Sequence, residues 1–294
     1  MNDNSFFVAD AHCDTLSRIY DEKESLLKNS GHLDLIRMQK ANLKLQIFAV
    51  WMLPETLNPF NKACEIIKYF NEEKKRNAET ISRIDYILSI EGGHILEGKL
   101  ENLETLYDMG VCMLTLTWNG ENEIGYGGVG AKDLPLKEFG LEVLKALEQK
   151  GMFIDVSHLS EKGFWSVMEN TFEATPIFAT HSNAKTVCDH PRNLTDKQIK
   201  AIIKRNGYIG INLYPKFLGG DSLELMTNHI KHIISLGGEK VLGFGCDFDG
   251  VDDLPKGING VESFDVIIKE LEKHFDNEFV ADICGRNLKR VLNR

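Results

Sequence analysis

Phe6-Phe7-Val8-Ala9-Asp10-Ala11-His12-Cys13-Asp14-Thr15-Leu16 reads as a short buried strand that ends in polar residues. Alternate residues of a strand project to one side, so His12 and Asp14 aim an imidazole and a carboxylate at one point. Such a pair suits a divalent metal of hard to borderline character. A histidine and an aspartate that merely hydrogen-bond in a loop would leave the same trace, so this H-x-D decides little alone. What decides the fold is that the pattern, an apolar run closing on a polar donor, recurs along the chain.

Further strands are expected at 43–52, 86–91, 111–118, 152–158, 176–181, 208–214 and 241–247, which with 6–14 makes eight. They are rich in Val, Ile, Phe and Leu and largely uninterrupted, as strands covered on both faces should be. Amphipathic helical patterns alternate with them at 61–76, 136–149, 160–169, 195–205, 222–236 and 281–292. Ser160 is placed to cap the third of these and Thr195 or Asp196 the fourth. Eight parallel strands with intervening helices imply an α/β fold, a (β/α)8 TIM barrel. An open doubly wound sheet is the competitor, but no glycine-rich phosphate turn follows the first strand. No low-complexity linker divides the chain, so residues 1–294 are expected to form one domain.

The 294 residues are 43% hydrophobic and 27% charged, which is enough apolar material for a full core. A formal net charge of −10 and the lack of any basic block argue against a nucleic acid or an anionic membrane as partner. No secretory leader and no apolar run long enough for a membrane helix is visible. The cysteines at 13, 64, 112, 188, 246 and 284 show no C-x-x-C spacing, which fits free thiols in a reducing cytoplasm.

Five of the eight expected strands end in metal-type donors: His12 and Asp14, then Glu91, His158, His181 and Asp247. In a barrel all these ends converge on one mouth. Burying three imidazoles and three carboxylates together without a cation would be strongly unfavourable. Six donors exceed one tetrahedral ion, so two ions about 3.5–4 Å apart are expected, with Glu91 giving one oxygen to each. Asp247 is then the candidate general base or proton shuttle.

At this point the chain resembles the membrane (renal-type) dipeptidases of the amidohydrolase superfamily. The matching segments are Asp10-Ala11-His12-Cys13-Asp14-Thr15, Ser89-Ile90-Glu91-Gly92-Gly93, Asp155-Val156-Ser157-His158, Thr180-His181-Ser182-Asn183-Ala184, His190-Pro191-Arg192-Asn193-Leu194-Thr195-Asp196 and Gly243-Phe244-Gly245-Cys246-Asp247-Phe248-Asp249-Gly250. They occur in family order and span nearly the whole chain. The resemblance implies two zinc ions, one held by His12, Asp14 and Glu91, the other by Glu91, His158 and His181. It also implies proton handling by Asp247 and capture of the substrate's terminal carboxylate by Arg192, whose guanidinium offers a bidentate fork.

One departure stands out. Animal members carry a histidine after Leu-Thr, thought to hold the scissile carbonyl, whereas here Leu116-Thr117 is followed by Trp118. An indole donates one hydrogen bond but never becomes cationic, so Trp118 bears on substrate range more than on hydrolysis, or simply packs. Tyr214, at the end of the seventh strand, is a further candidate to line the pocket. His190 is expected to shape the Arg192 loop, and His32, His229, His232 and His274 read as surface residues. The expected function is a cytoplasmic binuclear zinc dipeptidase acting on small peptides with a free C-terminal carboxylate, tolerance of a C-terminal D-residue being implied by the resemblance. The expected partner is a small dipeptide, with no nucleic acid and no membrane; a homodimer is an admissible assembly. The rival readings are another amide, lactam or lactone hydrolase on the same frame, or a metal-binding protein without catalysis.

Overall fold

Each apolar run becomes a strand because its branched and aromatic residues are covered on both faces, by the barrel interior on one side and by helices on the other. The computed structural model describes residues 6–293. Its strands are β1 (Val8–Cys13), β2 (Leu43–Trp51), β3 (Asp85–Glu91), β4 (Val111–Thr115), β5 (Phe153–Asp155), β6 (Ile177–Ala179), β7 (Tyr208–Ile211) and β8 (Leu242–Phe244). All pairings are parallel and the eight strands close in chain order. This is the (β/α)8 barrel expected from the sequence.

The later strands are shorter than their apolar runs. Hydrogen bonding nonetheless continues past them, from Leu116 N–H to Asp155 O (3.2 Å), Val156 N–H to Phe178 O (2.8 Å) and Gly245 N–H to Ile211 O (3.1 Å). Helices unread in the sequence include Thr15–Glu22, Leu35–Lys40, Leu100–Asp108 and Phe264–Glu272, with the short Ala78–Ile81 and Pro215–Leu218. The segment at 281–292 is not one helix either. Asn277–Ala281 passes through a wider π-turn at Asp282–Arg286 into Asn287–Val291, a bulge that spacing alone hides. Both capped helices start as expected. Ser160 Oγ accepts from Gly163 N–H, and Thr195 forms a reciprocal box with Gln198.

Ala9, Ala11, Leu45, Ile47, Ile87, Met113, Phe178 and Tyr208 fill the barrel. Leu288, Val291 and Leu292 of the last helix pack into the same cluster beside Phe7, Cys112 and Phe153 at the strand starts. The N-terminal end of the barrel is therefore plugged with hydrocarbon, and the C-terminal mouth is left open to polar groups. The seam between β1 and β8 is tied by Asp10, whose buried carboxylate accepts from Cys246 N–H (2.7 Å) and Gln46 Nε2 (2.8 Å). Beyond the seam, Asp14 N–H donates to Phe248 O (2.9 Å) and Asp247 N–H to His12 O (3.2 Å), which draws the polar ends of the two strands together. Among the described residues no helix is long and apolar enough to cross a membrane.

Candidate metal centre

His12 sits within a register shift between Asp10 and Cys13, where β1 leaves regular alternation. Asp14 lies just past the strand, at the N-cap of Thr15–Glu22. The two side chains meet as the sequence suggests, Nε2 to Oδ2 at 3.4 Å, but through this bulge and turn rather than through a shared strand face. Glu91 ends β3. His158 and His181 follow β5 and β6, and Asp247 follows β8, each two or three residues past the last ladder residue. His158 (φ 69°) and Asp247 (φ 64°) are both left-handed, a conformation that costs energy in a side-chain-bearing residue and concentrates at functional sites. Gly250 is required by the same crowding, because a Cβ there would strike the carboxylates of Asp14 and Asp247.

Glu91 stands at the centre with its two oxygens facing different ways. Oε2 is 3.6 Å from His12 Nε2, while Oε1 is 2.9 Å from His158 Nε2 and 3.4 Å from His181 Nε2. The two latter Nε2 atoms are 2.8 Å apart. Asp247 Oδ1 lies 3.8 Å from His12 Nε2, and its Oδ2 accepts from Asn212 Nδ2 at 2.8 Å. His12, Asp14 and Glu91 form one set able to hold a cation, and Glu91, His158 and His181 another, each with ligand atoms within 4.8 Å of one another. His12 Nε2 and Asp14 Oδ1 are buried without a hydrogen-bond partner. Orphaned lone pairs on convergent imidazoles and carboxylates are what a divalent ion would satisfy, so the donors fit a metal.

The second coordination partners prepare those nitrogens. Thr180 Oγ1 donates to Asp155 Oδ2 (2.6 Å) and so accepts from His181 Nδ1 (2.8 Å). Asn119 Oδ1 accepts from His158 Nδ1 at 3.0 Å. In both rings the proton is thereby drawn to Nδ1 and the Nε2 lone pair is left facing Glu91. Burial, aided by the Arg192 and His12 charges, holds His158 and His181 well below the usual imidazole pKa, so both rings are neutral. Burial opposes protonation of His12 as well, yet the Glu91 and Asp14 carboxylates raise it well above the usual range. Burial pushes Glu91 up to about 7 and raises Asp247 also. Without a cation the cluster thus holds protons in its place.

These groups open into a cavity of about 240 Å³ lined by Asp14, Trp51, Glu91, Trp118, His158 and Asp247. Trp118 is brought to the site. Its ring lies 5.3 Å from that of Trp51 and 6.4 Å from His158, as part of the wall. Arg192 is 4% exposed, its Nε and Nη2 have no partner, and it lines a small adjoining cavity with His158 and Ser182. Its guanidinium rests 5.3 Å over Phe217, and its backbone N–H donates to His190 Nδ1 (3.1 Å), the loop-shaping contact expected of His190. Tyr214 packs edge-on against Phe217 under Lys216, and is not among the residues that line either cavity. His229, read from the sequence as a surface residue, is fully buried. Its Nδ1 accepts from Ala184 N–H and its Nε2 donates to Leu218 O. Sequence reasoning gave no role to Asp155, Thr180 or Asn119. Asp155 and Thr180 lie inside the motifs quoted above, where a charged or hydroxyl residue next to a ligand was the available signal.

Known proteins resemble this chain in sequence and in fold. A Schizosaccharomyces pombe protein named as an uncharacterized dipeptidase is 32% identical over 218 residues, covering 71% of this chain but only 53% of its own length. A second protein of that organism, similarly named, is 26% identical over 306 residues, covering 90% of this chain and 72% of its own. The solved metallopeptidase from Rhodobacter sphaeroides, liganded with a phosphinate mimic of the dipeptide L-Ala-D-Ala, superimposes with a TM-score of 0.88 at 25% identity, over 99% of both chains. The profile of the membrane dipeptidase family matches residues 3–294, a span that takes in every donor around Glu91, and the chain therefore belongs to the membrane dipeptidases, the metallopeptidase family M19.

Proposed function

We propose that this chain is a dipeptidase whose working form holds two zinc ions at the two donor sets that share Glu91. The observation that carries the reading is the orientation of that carboxylate, one oxygen toward His12 and the other toward His158 and His181. Zinc held there would supply the activation of water near neutral pH and the polarisation of the scissile carbonyl. The protein's own residues do the rest. His12, Asp14, Glu91, His158 and His181 act as ligands, and Thr180 and Asn119 hold two of those imidazoles in the ligating tautomer. Asn212 occupies Asp247 Oδ2 and leaves Oδ1 toward the site, where it takes a proton and passes it to the leaving amine. Arg192 binds the substrate's C-terminal carboxylate, which supplies the partner its buried Nε and Nη2 lack. Trp118 and Trp51 form an apolar wall beside the scissile bond, and Tyr214, packed on Phe217, takes no part in binding.

The substrate is a dipeptide with a free carboxylate, including one with a C-terminal D-residue, as the L-Ala-D-Ala mimic bound to the Rhodobacter protein suggests. Because Trp118 faces the cavity where animal relatives place a histidine, the second reading is a hydrolase of another small amide, lactam or lactone. The test combines elemental analysis with turnover of L-Ala-L-Ala, L-Ala-D-Ala and an Ala-Ala C-terminal amide. About two zinc per chain, with the free carboxylates turned over far faster than the amide, is the expected result. Metal without turnover of any dipeptide would leave the metal centre and remove the dipeptidase reading.

A further inference from the structure

The cavities at the barrel mouth form a row. The Arg192 cavity, about 40 Å³, meets the metal cavity at His158. On its far side the metal cavity shares Asp14, Trp51 and Asp249 with a third, of about 200 Å³, that runs outward under the loop after β2. With the substrate's carboxylate at the Arg192 end, as proposed above, its N-terminal residue lies at the opposite end, against Asp14 and Trp51. We propose that the third cavity receives the side chain of that N-terminal residue and selects a long, uncharged one, such as leucine or methionine, over alanine.

The character of its lining supports this choice. Met52 is buried in one wall and Leu53, 47% exposed, stands in the other with nothing covering it. Thr56 N–H donates to Leu53 O at 3.0 Å, so a turn fixes the two together. The cations at the rim are already matched, Lys62 with Asp21 at 2.8 Å and Arg18 with Glu24 at 2.7 Å. Asp249 accepts from Thr15 Oγ1 and His32 N–H, both at 2.6 Å. With Asp14 committed to the proposed metal set, the charges of this lining are all engaged, while the open hydrocarbon of Leu53 and Trp51 gains from being covered.

The test measures kcat/KM of the metal-loaded enzyme on Leu-Ala, Ala-Ala, Ala-Leu and Lys-Ala. The wild type is expected to favour Leu-Ala over Ala-Ala by about tenfold or more, the usual discrimination of an apolar pocket. Thr56→Trp fills the cavity and should bring that ratio toward unity while the Ala-Leu to Ala-Ala ratio holds. Leu53→Asp, on the exposed part of the loop, should move the preference to Lys-Ala. Dipeptide turnover with no N-terminal preference, or a filled cavity that alters only the Ala-Leu ratio, overturns this inference and leaves the dipeptidase reading standing. No turnover of any dipeptide overturns both.

Discussion

Replacing Arg192 with methionine should make the protein more stable and a worse enzyme, and the two effects can be sized separately. Burial pulls the guanidinium down to about 10, against the opposing pull of Asp247, Glu91 and Asp155. At ~1.4 kcal/mol per tenfold, keeping it charged inside costs about 3 kcal/mol relative to water. A depressed basic group of this kind weakens the fold at every pH below its folded value, so the cost is fully present at neutrality. Arg192→Met keeps most of the stem over Phe217 and removes the charge, so a gain of up to about 3 kcal/mol is expected, a few degrees in Tm for a chain of this size. Catalysis should move the other way. The lost charge-assisted pair is worth about 1.5–3 kcal/mol, and the substrate carboxylate would then be buried without a partner. Together these predict a fall in kcat/KM of roughly 10²–10³ on Ala-Ala. On the C-terminal amide of Ala-Ala the variant should differ little from wild type. Chemical denaturation of the metal-loaded proteins and kinetics on both substrates check the argument. A variant that is destabilised, or that loses the acid and the amide equally, would refute it.

Asp247→Asn should abolish turnover while leaving zinc content and Tm near wild type, since Asn212 can still pair with the amide oxygen; loss of metal would make Asp247 a ligand instead. Asn119→Ala frees the His158 ring and should weaken one of the two ions about 10–100-fold, read by chelator competition as loss of one zinc before the other. His229 is held down to about 4 by burial, so in metal-free protein its contribution is fully present above the usual histidine pKa. That contribution is lost as pH falls from about 6.5 toward 4, up to about 3 kcal/mol in all. Urea unfolding of metal-free His229→Gln across that range should show a flatter pH dependence than wild type, and parallel curves would exclude the residue.

The barrel was legible because its strands are covered on both faces and so print themselves as unbroken Val, Ile, Leu and Phe runs. The donors were legible because a barrel plugged at one end leaves the other open to polar groups. The route by which they meet was not. His12 and Asp14 suggested simple alternation, whereas a bulge and a helix cap bring them together, and nothing in the residue types announces a left-handed His158 or Asp247. The helix Thr15–Glu22 was hidden by its hydroxyl residues. Thr15 and Ser17 are buried through bonds to Asp249 and to the Trp51 backbone, so polarity there does not mean exposure. His229 misled in the same way. A histidine in an amphipathic helix looks solvated until two backbone partners, Ala184 and Leu218, arrive from elsewhere in the chain.

The Asp10 seam also orders events in time. It joins groups 236 positions apart, and a closure of that span comes late, because little rewards it before the intervening strands are in place. At ordinary rates of synthesis, roughly ten to fifty seconds separate the emergence of His12 from that of Asp247. Throughout that interval the nascent polypeptide can present imidazoles and carboxylates to a passing cation but has no last strand to lock them or to move a proton. On the reading proposed above, hydrolytic competence arrives with barrel closure, and a translation product arrested before β8 should turn over no dipeptide however much metal it had gathered.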